Sequence, residues 1–225
     1  MSPNIILPHS GLLRAGTSTL RRRSFLASLA AIGLAACSSE GLGSLDNQRG
    51  QGLSRYPEEP LSEAEESGIL QLREEEKLAR DVYTLLGEQW GSSAFETIKS
   101  SEQKHMDAVA LLINRYDLID PAQSEVGKFQ SPKIAGLFES LMSQGERSEL
   151  EALQVGMTIE DVDIYDIDQI LAQNDNQDIQ AVFTNLRNGS ANHLRRFYTD
   201  LKAVGGSYTP QYISPELFAE LTAGL

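Results

Sequence analysis

Four stretches of this chain carry apolar residues at alternating three- and four-residue steps, and each stripe is interrupted midway by polar side chains. The first stripe is Leu72, Ala79, Tyr83 and Leu86, with Glu76 inside it. The second is Ile98, Val109, Leu112 and Tyr116, and its two missing places hold Glu102 and His105. The third is Leu153, Gly156, Ile167 and Leu171, interrupted by Glu160 and Asp163. The fourth is Val182, Leu186, Phe197, Leu201 and Val204, interrupted by Ser190 and His193. Residues three apart share a helix face, so each of these pairs points one way. A lone histidine on such a face is as a rule a satisfied core residue, and a lone acid is an edge residue. Four coincident interruptions are different, because a buried carboxylate must be paired or bound to a cation. Separate compensation needs a partner for each acid, whereas one metal centre compensates all of them.

The rest of the pattern is helical too. Ser62 followed by Glu65 is a capping-box signature, opening a helix that runs to Trp90. A second helix spans about 94–116 and stops at Asp120-Pro121. Residues 121–131 read as a loop, 132–144 as a short amphipathic helix and 174–178 as a turn, with Ser148 opening the helix between. Gly205-Gly206 ends the last long helix, and 215–221 is a short terminal one. The fold class is therefore all-α. The spacing repeats: Glu76 precedes Glu102 and His105 by 26 and 29 residues, and Glu160 precedes Ser190 and His193 by 30 and 33. Two helix pairs follow, each giving one carboxylate and then an x-x-x-His unit, the way di-iron carboxylate bundles are built.

Residues 1–36 read as an address. They hold Arg14, Arg21, Arg22 and Arg23, no acid, and then an apolar run over 25–36, too short to span a bilayer. Arg22-Arg23-Ser24-Phe25-Leu26 resembles the twin-arginine export motif, and Leu34-Ala35-Ala36-Cys37 resembles a bacterial lipobox. Cys37 is the only cysteine, so the chain has no internal disulfide and no cysteine-built metal site. The expectation is removal of 1–36, lipidation of Cys37, a flexible tether over 37–60 rich in Ser, Gly, Asn and Gln, and a helical domain over 61–225 on the bacterial cell envelope. The whole chain has a net charge of −13, and without the four arginines it keeps 15 basic against 32 acidic residues, a net −17. So acidic a chain argues against nucleic-acid binding and against anchoring by charge to anionic lipid, which leaves the acyl chains.

The motifs Glu76-Lys77-Leu78-Ala79-Arg80-Asp81-Val82-Tyr83 and Glu102-Gln103-Lys104-His105 resemble the first two helix motifs of the ferritin-like, rubrerythrin-related superfamily. The segment from Asn185 to Phe197, with His193, resembles the closing motif of the DUF2202 family of ferritin-like proteins. The resemblance covers about residues 62–213. It implies an antiparallel four-helix bundle with an extra helix in the crossover. It makes Glu76 a terminal ligand, Glu102 a bridging ligand, His105 and His193 the two imidazoles, and Glu160 the carboxylate of the third bundle helix. The departure is Ser190, where the family pattern has glutamate. Asp163, one turn from Glu160, is the candidate to replace the lost oxygen donor. Tyr83, Arg80, Asp81 and Asn192 are the nearest candidates to support the ligands.

Carboxylates with two imidazoles suit iron or manganese and also zinc. One expectation is an oxidoreductase acting on peroxide, dioxygen or Fe(II), with electrons from a partner or from Fe(II), since the chain lacks the cysteines of a rubredoxin domain. The other is a non-catalytic metal-binding or protein-interaction bundle, which the missing glutamate favours. A homodimer is compatible with either.

Overall fold

The computed structural model describes residues 52–225, which form six α-helices and no strand among them. The leader, Cys37 and most of the tether lie outside the described residues. The helices are α1 (Glu63–Trp90), α2 (Ser93–Arg115), α3 (Pro132–Gly145), α4 (Glu149–Leu171), α5 (Gln177–Ala203) and α6 (Pro215–Leu221). Their starts are set locally. Ser62 and Glu65 form the capping box on α1, and Ser131, Ser148 and Ser214 accept from the first free N–H groups of α3, α4 and α6. Gly91 ends α1 in a left-handed conformation, φ 65°, which a residue without a Cβ adopts freely. The turn expected over 174–178 is shorter, since α5 already begins at Gln177.

α1 packs along α2 and α4 along α5, with further contacts of α1 with α4 and of α2 with α5. The apolar core falls into two parts. One holds Ile69 and Leu72 of α1, Val109 and Leu112 of α2, Ile167 of α4, and Ile179 to Leu186 of α5. The other holds Val82 and Leu86, Phe95 and Ile98, Leu153 and Ile159, and Leu194 and Phe197. Along α1 and α5 the chain runs from the first part to the second, and along α2 and α4 it runs back. α2 and α4 therefore point the same way, so the chain between them must return the length of a helix, and α3 lies in that return. Each polar interruption seen in the stripes falls at the boundary between the two apolar parts.

Several buried acids have purely structural partners. Asp161 accepts from Tyr208 Oη and from the N–H groups of Gln211, Tyr212 and Ile213, fixing the segment after α5. Glu74 accepts from Gln130 N and Ser131 N, and Asp81 accepts from Lys77, Arg80 and Gly127 N, together fixing the loop before α3. Glu65 and Asp178 are satisfied in the same manner near the start of α5. Residues ahead of 61 also touch the helices. Leu53 packs on the core, and the Tyr56 carbonyl accepts from Arg115 Nη2 at 2.9 Å. Among the described residues no helix is long and apolar enough to cross a membrane.

Candidate metal centre

Between the two apolar layers α1 brings Glu76, α2 Glu102 and His105, α4 Glu160 and Asp163, and α5 Ser190 and His193. All seven side chains are buried. Glu102, His105 and His193 each offer a ligand atom within 4.8 Å of the other two. Glu102 lies between the imidazoles: Oε2 is 2.9 Å from His105 Nδ1, and Oε1 is 2.8 Å from His193 Nδ1. The two rings stack, centroids 5.2 Å apart. Glu76 Oε2 meets His105 Nδ1 at 3.2 Å, and Glu160 Oε2 lies 3.6 Å from His193 Nδ1. Both histidines thus turn Nδ1 toward the carboxylates.

The remaining predicted residues divide. Tyr83 Oη donates to Glu160 Oε1 at 2.6 Å, and its ring sits against Phe95 and Phe197 at 5.7 and 5.1 Å. Ser190 Oγ donates to Asp163 Oδ2 at 2.5 Å, so the short side chain on α5 holds the extra carboxylate of α4. Arg80 does not reach the cluster, because its guanidinium is taken by Asp81 and Gln103. Asp81 faces the loop before α3. Asn192 is exposed, being one residue, about 100°, around the helix from His193. A neighbouring acid pair had no signal in the stripes. Gln71 Nε2 donates to Glu75 Oε1 at 2.9 Å and to Asp166 Oδ2 at 3.4 Å, on the seam of α1 and α4.

The electrostatics follow from burial among like charges. Burial pushes the Glu76 carboxyl up to about 8, only partly opposed by His105. Burial, with Glu76 and Glu160 beside it, raises Asp163 well above its usual range, and burial with Glu102 raises Glu160. Burial would also raise Glu102, but the two histidines outweigh it and hold that carboxyl below its usual range. Burial would lower both histidines. Glu76 and Glu102 instead hold His105 well up, and Glu102 and Glu160 hold His193 up at about 10. Burial and Glu160 raise the Tyr83 phenol, which stays a donor. Protons held on these groups temper the repulsion among the carboxylates, and a cation would replace them.

The donors fit a cation. Glu76 Oε1, Glu102 Oε1 and His193 Nδ1 are buried without a hydrogen-bond partner, as is His105 Nε2 on the side of its ring away from the carboxylates. Glu102 Oε1 and His193 Nδ1 are close, 2.8 Å, yet not aligned as donor and acceptor. Two atoms bound to one ion at about 2.1 Å lie about 3 Å apart with both lone pairs aimed at the ion. The structural acids Glu65, Glu74, Asp81, Asp161 and Asp178, by contrast, are met by N–H, O–H or cationic donors.

Known proteins share this chain's pattern. A family model described as "Uncharacterized protein domain (DUF2202)" matches residues 65–224. The uncharacterized protein MJ0754 of Methanocaldococcus jannaschii is 46% identical over 170 residues, covering 75% of this chain and 92% of that protein. The crystal structure of the hypothetical protein MJ0754 superposes with a TM-score of 0.73 at 45% identity, over 75% of this chain and 97% of the other. The chain belongs to the DUF2202 family.

Proposed function

We propose that this DUF2202 protein is a ferritin-like metalloprotein of the bacterial cell envelope, lipid-anchored through Cys37, whose four-helix bundle holds one or two iron ions. The observation that carries the reading is the buried group Glu102, His105 and His193, whose ligand atoms converge, with Glu102 Oε1 and His193 Nδ1 left without hydrogen-bond partners. The up-down-down-up course of α1, α2, α4 and α5, with α3 in the long crossover, supports the ferritin-like arrangement. Glu76, Glu102, His105, Glu160 and His193 would hold the metal, with Asp163 as a further oxygen donor. Manganese and zinc suit the same donors. Bound iron supplies one-electron chemistry toward peroxide, dioxygen or Fe(II). The chain's own groups prepare that site: Tyr83 orients Glu160, Ser190 orients Asp163, and the apolar layers on either side keep water out. Ser190 also favours a second reading, a bundle that binds metal without turning over, because the carboxylate expected there is replaced by a hydroxyl.

Metal analysis combined with melting curves tests the site. Folding raises Glu76 from 4.5 to about 8 and His193 from 6.5 to about 10. Stability tied to a raised pKa is complete below the unfolded value and lost as pH rises through the folded one. The metal-free chain should therefore melt at falling temperatures from about pH 5 to pH 9. Fe(II), Mn(II) or Zn(II) at about 100 times its Kd should raise Tm by about 5–10 °C and cancel that fall, since the ion takes the place of the protons. A chain that binds none of these ions and melts unchanged in their presence would end the metal reading. Peroxide-dependent turnover of the iron-loaded protein separates the redox reading from the non-catalytic one.

The anchor has its own test. Cys37→Ser should abolish acyl labelling and move the protein from the membrane to the soluble fraction of the cell that makes it. Unchanged membrane retention would refute the anchor and leave the metal site untouched.

A further inference from the structure

α5 contains one glycine in 27 residues, Gly189, and nothing in the backbone demands it: its φ is not positive, unlike those of Gly91, Gly127, Gly205 and Gly224. Glycine inside a helix lowers its stability relative to alanine. The reason for it here is room. A Cβ built on Gly189 would stand 2.4 Å from His105 Nε2 and 2.7 Å from Cε1, closer than the 3.0 Å that real Cβ atoms essentially never breach. The third nearest atom, at 3.8 Å, is again in His105, so the imidazole alone occupies that space. At Gly68, Gly145 and Gly156, the other glycines within these helices where a Cβ would come closer than 3.0 Å to a neighbour, that neighbour is apolar: Ile170, Leu86 and Phe197.

The His105 ring has nowhere to retreat. It is fully buried, with Glu76 and Glu102 on its Nδ1 side and His193 stacked over it. Its Nε2 has no hydrogen-bond partner that would fix the ring from behind. Metal-bound imidazoles are ordinarily held there by a carboxylate or carbonyl. We propose that Gly189 is the positioning residue for His105, its missing side chain letting the imidazole lean on the α5 backbone with Nδ1 turned to Glu102. Packing against a bare helix turn thus takes the role that a hydrogen bond to Nε2 plays elsewhere. This rests on the metal reading of the site.

The test is a double-mutant cycle on the full-length chain, read by Zn(II) affinity and by the melting temperature of the metal-free protein. Gly189→Ala should weaken Zn(II) binding by about 10- to 100-fold, the loss typical of a misplaced ligand. In a His105→Ala background the same change should cost no further affinity. There it should raise Tm by about 2–4 °C, because helix propensity is gained and the clash is gone. Undiminished Zn(II) affinity in Gly189→Ala overturns the proposal, as does an equal loss in both backgrounds. If Gly189→Ala fails to fold, folding of the double variant supports the clash with His105, and failure of both overturns it. His105→Ala with unchanged affinity would instead bring down the metal reading itself, and the proposal with it.

Discussion

Glu102→Gln is expected to reduce metal affinity by more than about 100-fold, beyond the loss seen when only a supporting partner of a ligand is removed. The side chain keeps its volume, so the change isolates the charge. Glu102 is the one acid that touches both imidazoles, at 2.9 Å to His105 and 2.8 Å to His193. The amide keeps one neutral oxygen and puts an N–H₂ where an oxygen faced an imidazole. The metal-free protein should respond too. Glu102 leads the contributions that hold His193 up at about 10 against burial. Without its charge the His193 pKa should fall back toward or below 6.5, which an NMR titration of the ring reads directly. The sign on stability follows. The His193 contribution, present below 6.5 and lost through 10, disappears, so Tm near neutral pH drops and its slope with pH flattens over that window. Wild-type metal affinity in Glu102→Gln would remove Glu102 from the centre, and an unshifted His193 would refute the pairing in the metal-free state.

What the sequence could reveal of this site was set by helix geometry. Glu76, Glu102, His105, Glu160 and His193 were legible because each breaks an apolar stripe at a step the helix period defines, and period is a local property. Asp163 and Ser190 were legible as places in a stripe, but their hydrogen bond was not, since it joins α4 to α5. The buried Asp161 and Glu74 left no trace, because most of their partners are N–H groups of loops tens of residues away, and Asp81, expected beside the ligands, instead pairs with Lys77 and Arg80 and holds Gly127 N. Arg80 was expected at the centre from its place one turn beyond Glu76, and Asp81 beside it captures the guanidinium instead. Gly189 has no side chain to enter any pattern, and its meaning appears only when α2 lies against α5. The contacts of residues 53–56 left no trace for a similar reason. Residues 53–56 look like tether by composition, while Arg115 of α2 holds the Tyr56 carbonyl.

The largest loss of stability should come from a residue with no part in the metal site. Asp81 is fully buried and accepts from Lys77, from Arg80 and from Gly127 N. Lys77 is equally buried, and its other neighbours are the Glu125 carbonyl at 2.9 Å and the face of Phe129 at 4.5 Å. Neither carries a charge. Asp81→Asn keeps the shape and leaves the ammonium buried without a counter-ion. Breaking a buried pair from one side costs about 3–5 kcal/mol, more than the pair is worth when both members are replaced. Tm should fall by roughly 6–20 °C for a domain of this size. The loop before α3 hangs on the same atoms, so its amides, Gly127 foremost, should exchange faster with solvent. The double change Lys77→Met with Asp81→Asn removes the stranded charge and should recover much of the loss. Metal stoichiometry at saturation should stay that of the native chain in both variants, because Lys77 and Asp81 bond to each other and to the loop rather than to Glu102, His105 or His193. A double variant less stable than Asp81→Asn would show that the cost lies in lost packing rather than in the unpaired ammonium.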